Sequence, residues 1–195
     1  FFADLWLKDE GVAELLPACN TVILDEAHQL AETAAQFFGE TLSVAQLLDL
    51  AGDTKRLAAV KAGDFPALRR AAEDLSKAAR DLRLVFPQNP VKSTIAELTR
   101  YDKWPDALKN LSAALDDMAK LLEAQAERDA DLKNCFEPAQ AVQATLASWQ
   151  RADDPEHPRV RWLETTMSSL LLHATPLSVG AMFGARGCLI RVDPP

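Results

Sequence analysis

Apolar side chains recur every three to four positions over long stretches of this sequence, which is the spacing of helices that bury one face. The pattern runs through residues 43–154 and predicts several amphipathic helices in succession. Residue types favoured at helix starts mark their first turns: Ser43, Pro66, Pro105 and Pro138. Successive amphipathic helices favour an antiparallel bundle with the apolar stripes in its core. No strand is predicted in this block.

Two apolar stripes are long enough to predict individual core positions. The stripe after Pro66 is Leu68, Leu75, Ala79, Leu82 and Phe86, and the stripe after Pro105 is Leu108, Leu111, Leu115, Met118 and Leu122. We expect both to be plain hydrophobic core, because leucines and a methionine at helical spacing pack against neighbouring helices. The Gly52-Asp53 pair is expected to break or kink the first helix. A short helix is expected near residues 94–99, and the last helix should span residues 138–151.

Strands are predicted on both sides of the helical block. Residues 21–25 form a short apolar, β-branched run typical of a buried strand, and a helix is predicted over residues 26–38. After the block, residues 160–165 and 169–175 predict two strands that form a hairpin. The order α/β, helices, β indicates one α/β domain interrupted by a helical insertion, with the hairpin returning to the sheet that holds Leu24.

Composition narrows the class of protein. The chain is 48% hydrophobic and 26% charged, as expected of a globular protein, and its net charge of −8 argues against coating nucleic acid by bulk charge. No CxxC pair joins the three cysteines, so neither a zinc site nor a disulfide framework is indicated. No apolar run approaches the roughly 20 residues that span a bilayer, so no membrane partner is expected. A reducing, cytoplasmic setting is the default expectation.

The charge is nevertheless uneven along the helical block. Residues 55–83 hold eight basic and four acidic side chains, whereas residues 106–137 hold four basic and eight acidic ones. At helical spacing, four basic residues fall on one flank of the Leu68 stripe: Arg69, Lys77, Arg80 and Arg83, with Glu73 the one acid among them. This flank is a candidate path for a phosphate backbone, and an ordinary solvated surface is the alternative.

The strand at residues 21–25 ends in two carboxylates, Asp25 and Glu26, followed by Ala27 and His28. In open α/β sheets ligands bind at the carboxyl ends of strands. Adjacent carboxylates at that edge suit a nucleotide hydrolase that holds magnesium and orients the attacking water. The alternative is a solvated acidic turn beside a hydrogen-bonded histidine at a helix start.

Four apolar residues followed by Asp-Glu-Ala-His resemble motif II, the DEAH box, of superfamily-two helicases. Two further stretches resemble the DinG-like and XPD-like members: residues 1–5 (FFADL), and residues 175–179 (TPLSV) with Met182 and Phe183. The resemblance implies that Asp25 holds Mg²⁺ together with Glu26. It also implies that Glu26 positions or deprotonates the attacking water, and that His28 couples the nucleotide state to the DNA-binding side.

The same resemblance implies a division of the chain. The fold class expected is mostly α with a small α/β part, a helical-bundle insertion within part of a RecA-like motor domain. Residues 1–42 would belong to motor domain 1, residues 43–156 to the arch domain inserted after the box, and residues 157–184 to the return to motor domain 1. Residues 185–195 resemble nothing in the family and are unassigned.

The parent of such a fragment would be an ATP-dependent DNA helicase acting on single-stranded or branched DNA in repair or replication, with ATP and Mg²⁺ as cofactors. The chain opens on Phe1 and has no G-x-x-x-x-G-K-[ST] loop, so it should be a piece lacking the phosphate-loop part and the second motor domain. Alone it is expected to be inactive. An iron–sulfur cluster could lie upstream in the parent, but Cys19, Cys135 and Cys188 cannot supply its four ligands. The alternative is a non-catalytic helical scaffold or protein-interaction module.

Overall fold

The computed structural model of the chain describes Thr33, residues 39–152 and residues 158–177. The predicted strand at residues 21–25, the helix at residues 26–38 apart from Thr33, and residues 178–195 lie outside this part. The fold-class prediction is confirmed, since the described chain is mostly helical with a small antiparallel sheet.

Four long helices form a bundle. They are α1 (Val44–Lys61), α2 (Pro66–Leu84), α3 (Trp104–Ala126) and α4 (Ala130–Gln150), and a short 3₁₀ helix covers Glu97–Arg100. Each helix packs on the next, and α1 also packs on α4, so the bundle closes on itself. The two predicted stripes point inward: Leu68, Leu75 and Leu82 of α2 and Leu111, Leu115 and Met118 of α3 are fully buried.

Four strands form one sheet in the order β1-β4-β3-β2. They are β1 (Glu40–Ser43), β2 (Val91–Thr94), β3 (Arg159–Thr165) and β4 (Leu170–Pro176). The pairs β1–β4 and β2–β3 are antiparallel, with Leu42 opposite Leu172 and Ser93 opposite Leu163. These four side chains are buried, and the indole of Trp149 in α4 donates to the carbonyl of His173 at 3.0 Å. The predicted hairpin is present, because β3 and β4 are neighbours in the sheet and a short turn joins them.

The structure corrects the expectation that the helical block holds no strand. Strand β2 lies inside it, and only Ser93 of its four residues is buried. So short and polar a segment has no apolar alternation to reveal it. It pairs with β3, about 70 residues further along the chain, and that pairing stabilises it. The short helix expected near residues 94–99 is the 3₁₀ turn Glu97–Arg100.

Two helices are longer than the sequence indicated. Helix α1 continues through Gly52, because buried Ala51, Thr54 and Ala58 extend its inner face and outweigh the roughly 1 kcal/mol that a glycine costs. Helix α4 begins eight residues before Pro138, capped by the carboxylate of Asp129. Buried residues on both sides of Pro138 anchor this helix despite the hydrogen bond that a proline removes.

The chain divides into two compact units. One comprises residues 40–152 and 160–174, so the helices and most of the hairpin belong together. The described residues of the other unit include Pro158 and Leu177, joined by a backbone hydrogen bond of 2.9 Å. The division into motor and arch segments depends on residues 1–38 and 178–195 as well and stays a prediction.

Candidate nucleic-acid interface

The outer face of α2 carries the basic residues that the sequence singled out. Because Leu68, Leu75 and Leu82 point into the core, the helical period leaves Arg69, Lys77 and Arg80 exposed. None of these three side chains has a hydrogen-bond or ion-pair partner within the described part of the chain. At 100° per residue, Arg69 and Arg80 lie within about 20° of each other around the helix axis.

The one acid on this flank is compensated. Lys55 of α1 pairs with Glu73 at 2.9 Å, and both side chains are about half exposed. The hydrogen bond and charge of Lys55, with smaller contributions from Arg69 and Arg70, hold the pKa of Glu73 below its ordinary value. Glu73 therefore stays ionised, and its charge is matched by Lys55 rather than by the arginines of α2.

Lys77 has a different setting from the two arginines. It borders a groove of about 460 Å³ between α2 and α3. Three carboxylates, a second lysine and several small apolar residues line this groove with it: Asp74, Asp81, Asp106, Lys103, Ala78, Ala107 and Ala114. The predicted flank is thus divided, because Lys77 faces a region of mixed charge while Arg69 and Arg80 do not line it.

Arg83 is occupied by backbone carbonyls. One terminal nitrogen, Nη1, donates to the carbonyls of Phe86 and Pro87 at 3.2 and 3.1 Å. The other, Nη2, donates to those of Thr166 and Gln88 at 2.6 and 3.4 Å. The guanidinium therefore holds the turn after α2 against the β3–β4 hairpin. An arginine in the last turn of a helix just before a proline is the sequence signal for such a role.

Two other basic side chains of residues 55–83, Arg56 and Lys61, are also paired. Arg56 bonds to Asp53, and Lys61 reaches Asp129 and Asp131 at 3.0 and 3.4 Å. The hydrogen bonds that the Lys61 ammonium donates to these two carboxylates raise the pKa of Lys61, which stays charged. The basic side chains of this stretch that have no hydrogen-bond or ion-pair partner among the described residues all lie on α2: Arg69, Arg70, Lys77 and Arg80. Arg70 is the member that the sequence analysis missed.

The predicted ATP-site residues Asp25, Glu26 and His28 lie outside the described residues. Among the residues that are described, no group of three or more His, Cys, Asp or Glu side chains could hold a metal ion. No helix in that part of the chain is long and apolar enough to cross a membrane.

Comparison with known proteins relates the chain to DNA helicases. No protein-family model matches it. It is 34% identical over 186 residues to the ATP-dependent DNA helicase YoaA of Escherichia coli strain K12, a match that covers 94% of this chain and 28% of the relative. The Haemophilus influenzae protein of the same name is 29% identical over 187 residues, which cover 95% of this chain and 29% of that relative.

The chain thus spans less than a third of the length of these curated relatives. The predicted similarity to DNA helicases is confirmed, because both of these homologues are named ATP-dependent DNA helicase. The DEAH-box and arch assignments stay predictions.

Proposed function

We propose that this chain is a segment of an ATP-dependent DNA helicase of the DinG and XPD type, which couples ATP hydrolysis to unwinding of DNA in repair or replication. The observation that carries the proposal is the match of nearly the whole chain to proteins named ATP-dependent DNA helicase. Within those homologues it corresponds to one part, so the phosphate loop and the second motor domain would come from the rest of the parent.

In this proposal residues 25–28 are the motif II of the motor. Asp25 holds the Mg²⁺ of the bound nucleotide together with Glu26, which also positions or deprotonates the attacking water. His28, two residues after Glu26 in the sequence, relays the nucleotide state to the DNA-binding side. When bound, Mg²⁺ neutralises charge that develops on the phosphates during hydrolysis.

The helical bundle is the arch-like insertion, and the outer face of α2 is its DNA-facing side. Support comes from the distribution of unpaired charge. Lys55, Arg56 and Lys61 are used in ion pairs, whereas Arg69, Arg70 and Arg80 have no partner among the described residues. Arg69 and Arg80 lie on one helix face, and Arg70 lies about 100° further round the helix. Exposed guanidinium groups of this kind suit a phosphate backbone, which is repeatedly charged and binds chiefly through such contacts. Arg83 supports the end of this face instead of contacting phosphates.

A charge-reversal pair tests this path. In the full-length helicase, R69E/R80E should weaken binding to a fluorescein-labelled oligothymidylate and flatten the dependence of its affinity on KCl. Each lost phosphate contact lowers the slope of log K against log[salt] by roughly 0.7 for single strands. The matched control is K109E/K120E on α3, where two exposed lysines lie on an acidic helix.

The control reversal should change neither the affinity nor the slope appreciably. An equal effect of the two pairs would mean that the strand does not follow α2. If the wild-type protein showed no salt-dependent binding at all, the alternative of a non-catalytic helical interaction module would be favoured.

A further inference from the structure

Lys55 reaches from α1 onto the outer face of α2. Its Nζ lies 2.9 Å from Oε1 of Glu73, and among the described residues this is the one ion pair that joins α2 to another helix. Both side chains are about half exposed, so the pair contributes little to stability in water. Its effect is local, because it brings a cation from α1 to the one acid of the flank that holds Arg69 and Arg80.

Glu73 lies between these two arginines on the surface of α2. From the geometry of a regular helix, it is about 40° round the axis and about 6 Å along it from Arg69, and about 20° and about 10 Å from Arg80. A strand whose phosphates bind both arginines therefore passes close to this carboxylate. An uncompensated negative charge at that point would repel the phosphates.

Glu73 also has possible partners within its own helix. Arg69 precedes it by four residues and Lys77 follows it by four, which is the spacing of ion pairs along a helix surface. The charge of Arg69 contributes to the lowered pKa of Glu73, but the hydrogen bond and charge of Lys55 contribute more. Neither Arg69 nor Lys77 pairs with Glu73 in the structure, because Lys55 holds the carboxylate instead.

We propose that Lys55 is a positioning residue of the DNA interface, which holds the Glu73 carboxylate so that phosphates can approach Arg69 and Arg80. Without Lys55, Glu73 either pairs with a cation of its own helix or stays as an uncompensated negative charge. In both cases the face of α2 loses the equivalent of one positive charge. Lys55 itself contacts no phosphate. The inference rests on the proposed DNA path along α2 and adds to it a residue from a second helix.

A double-mutant cycle in the full-length helicase tests this role. Affinity for the labelled oligothymidylate is measured by fluorescence anisotropy over a range of KCl concentrations, for wild type, K55Q, E73Q and K55Q/E73Q. The matched control is R56Q, which removes a neighbouring positive charge of α1 from its exposed ion pair with Asp53 and leaves α2 untouched. Thermal unfolding verifies that each variant is folded, which is expected because all the substituted side chains are exposed.

K55Q should lower the slope of log K against log[salt] by about 0.7, the contribution of one phosphate contact on a single strand. Between about 50 mM and about 1 M KCl that change amounts to a loss of affinity of about eight-fold at the low-salt end, with little difference at the high-salt end. K55Q/E73Q should recover the wild-type slope, because the acid that Lys55 compensates is gone. E73Q should bind at least as tightly as wild type, and R56Q should match wild type.

Three results would overturn the inference. The first is a wild-type slope in K55Q while R69E/R80E still flattens the dependence on KCl, which would leave the DNA path standing without a role for Lys55. The second is a K55Q/E73Q protein that binds as weakly as K55Q, because Lys55 would then contact phosphates directly. The third is an equal loss of affinity in E73Q and K55Q, because the pair would then act only by holding α1 against α2. An unchanged slope in R69E/R80E would instead refute the DNA path, and the role of Lys55 with it.

Discussion

Replacing Arg83 with methionine should destabilise the protein without touching a DNA contact. The substitution keeps most of the apolar stem and removes four hydrogen bonds to carbonyl oxygens. The bonds to Pro87 and Gln88 are exposed, so water replaces them at little cost. The bonds to Phe86 and Thr166 are partly buried, and each should contribute about 1–1.5 kcal/mol net. We therefore expect a loss of about 2–3 kcal/mol in the free energy of unfolding.

Urea unfolding followed by circular dichroism measures this loss, with an unchanged dependence on denaturant as the check that the same structure unfolds. Arg83→Lys should recover less than half of it, because one ammonium cannot donate to the turn and to Thr166 together in the way a guanidinium does. Arg80→Met is the matched control on the same helix and should stay within about 0.5 kcal/mol of wild type. Equal stability of the Arg83→Met and Arg80→Met proteins would refute the structural role of Arg83.

Three further outcomes are expected. Thr54 is fully buried, and among the described residues its hydroxyl has only the Cys135 thiol, a weak hydrogen-bond partner, beside it. Thr54→Val should therefore raise the free energy of unfolding by about 1 kcal/mol, and a loss of stability in urea would contradict this. Burial lowers the pKa of His173 below its ordinary value, so the free energy of unfolding should fall as pH drops through about 6.5 towards the folded-state pKa. Unfolding experiments between pH 8 and pH 5, about the range in which a histidine titrates, should show a smaller fall for His173→Gln than for wild type. The 195-residue chain alone should hydrolyse no ATP in a phosphate-release assay, because it lacks the phosphate loop. Mg²⁺-dependent turnover by a pure preparation would show that the predicted division of the chain is wrong.

Local periodicity was sufficient to predict the parts of the fold that local sequence determines. The Leu68, Leu75 and Leu82 stripe defined both the inner face of α2 and, by the same period, the outward direction of Arg69 and Arg80. Strand β2 was missed because its stability comes from pairing with β3 and not from its own four residues. Helix α4 begins earlier than predicted, because the buried residues on both sides of Pro138 outweigh the hydrogen bond that a proline removes.

The candidate site was predicted only in part, because contacts with segments distant in the sequence decide which of its side chains are paired. A helical wheel shows which side chains share a flank, but not which of them find partners from other elements. The Lys55–Glu73 pair and the bond from Arg83 to the carbonyl of Thr166, 83 residues away in sequence, are tertiary contacts. The first contact neutralises Glu73, and the second removes Arg83 from the candidate DNA contacts. Arg70, which has no hydrogen-bond or ion-pair partner among the described residues, is added to the candidate DNA contacts.

In the proposed function, residues 25–28 are the motif II of an ATP-driven DNA helicase. The measurement that tests it most directly is ATP hydrolysis by the full-length protein with and without Glu26→Gln. The substitution should leave nucleotide binding nearly intact and lower DNA-stimulated turnover by about two orders of magnitude or more, because the attacking water loses its positioning group while Mg²⁺ binding by Asp25 is kept. Turnover equal to that of the wild-type helicase would contradict the assignment.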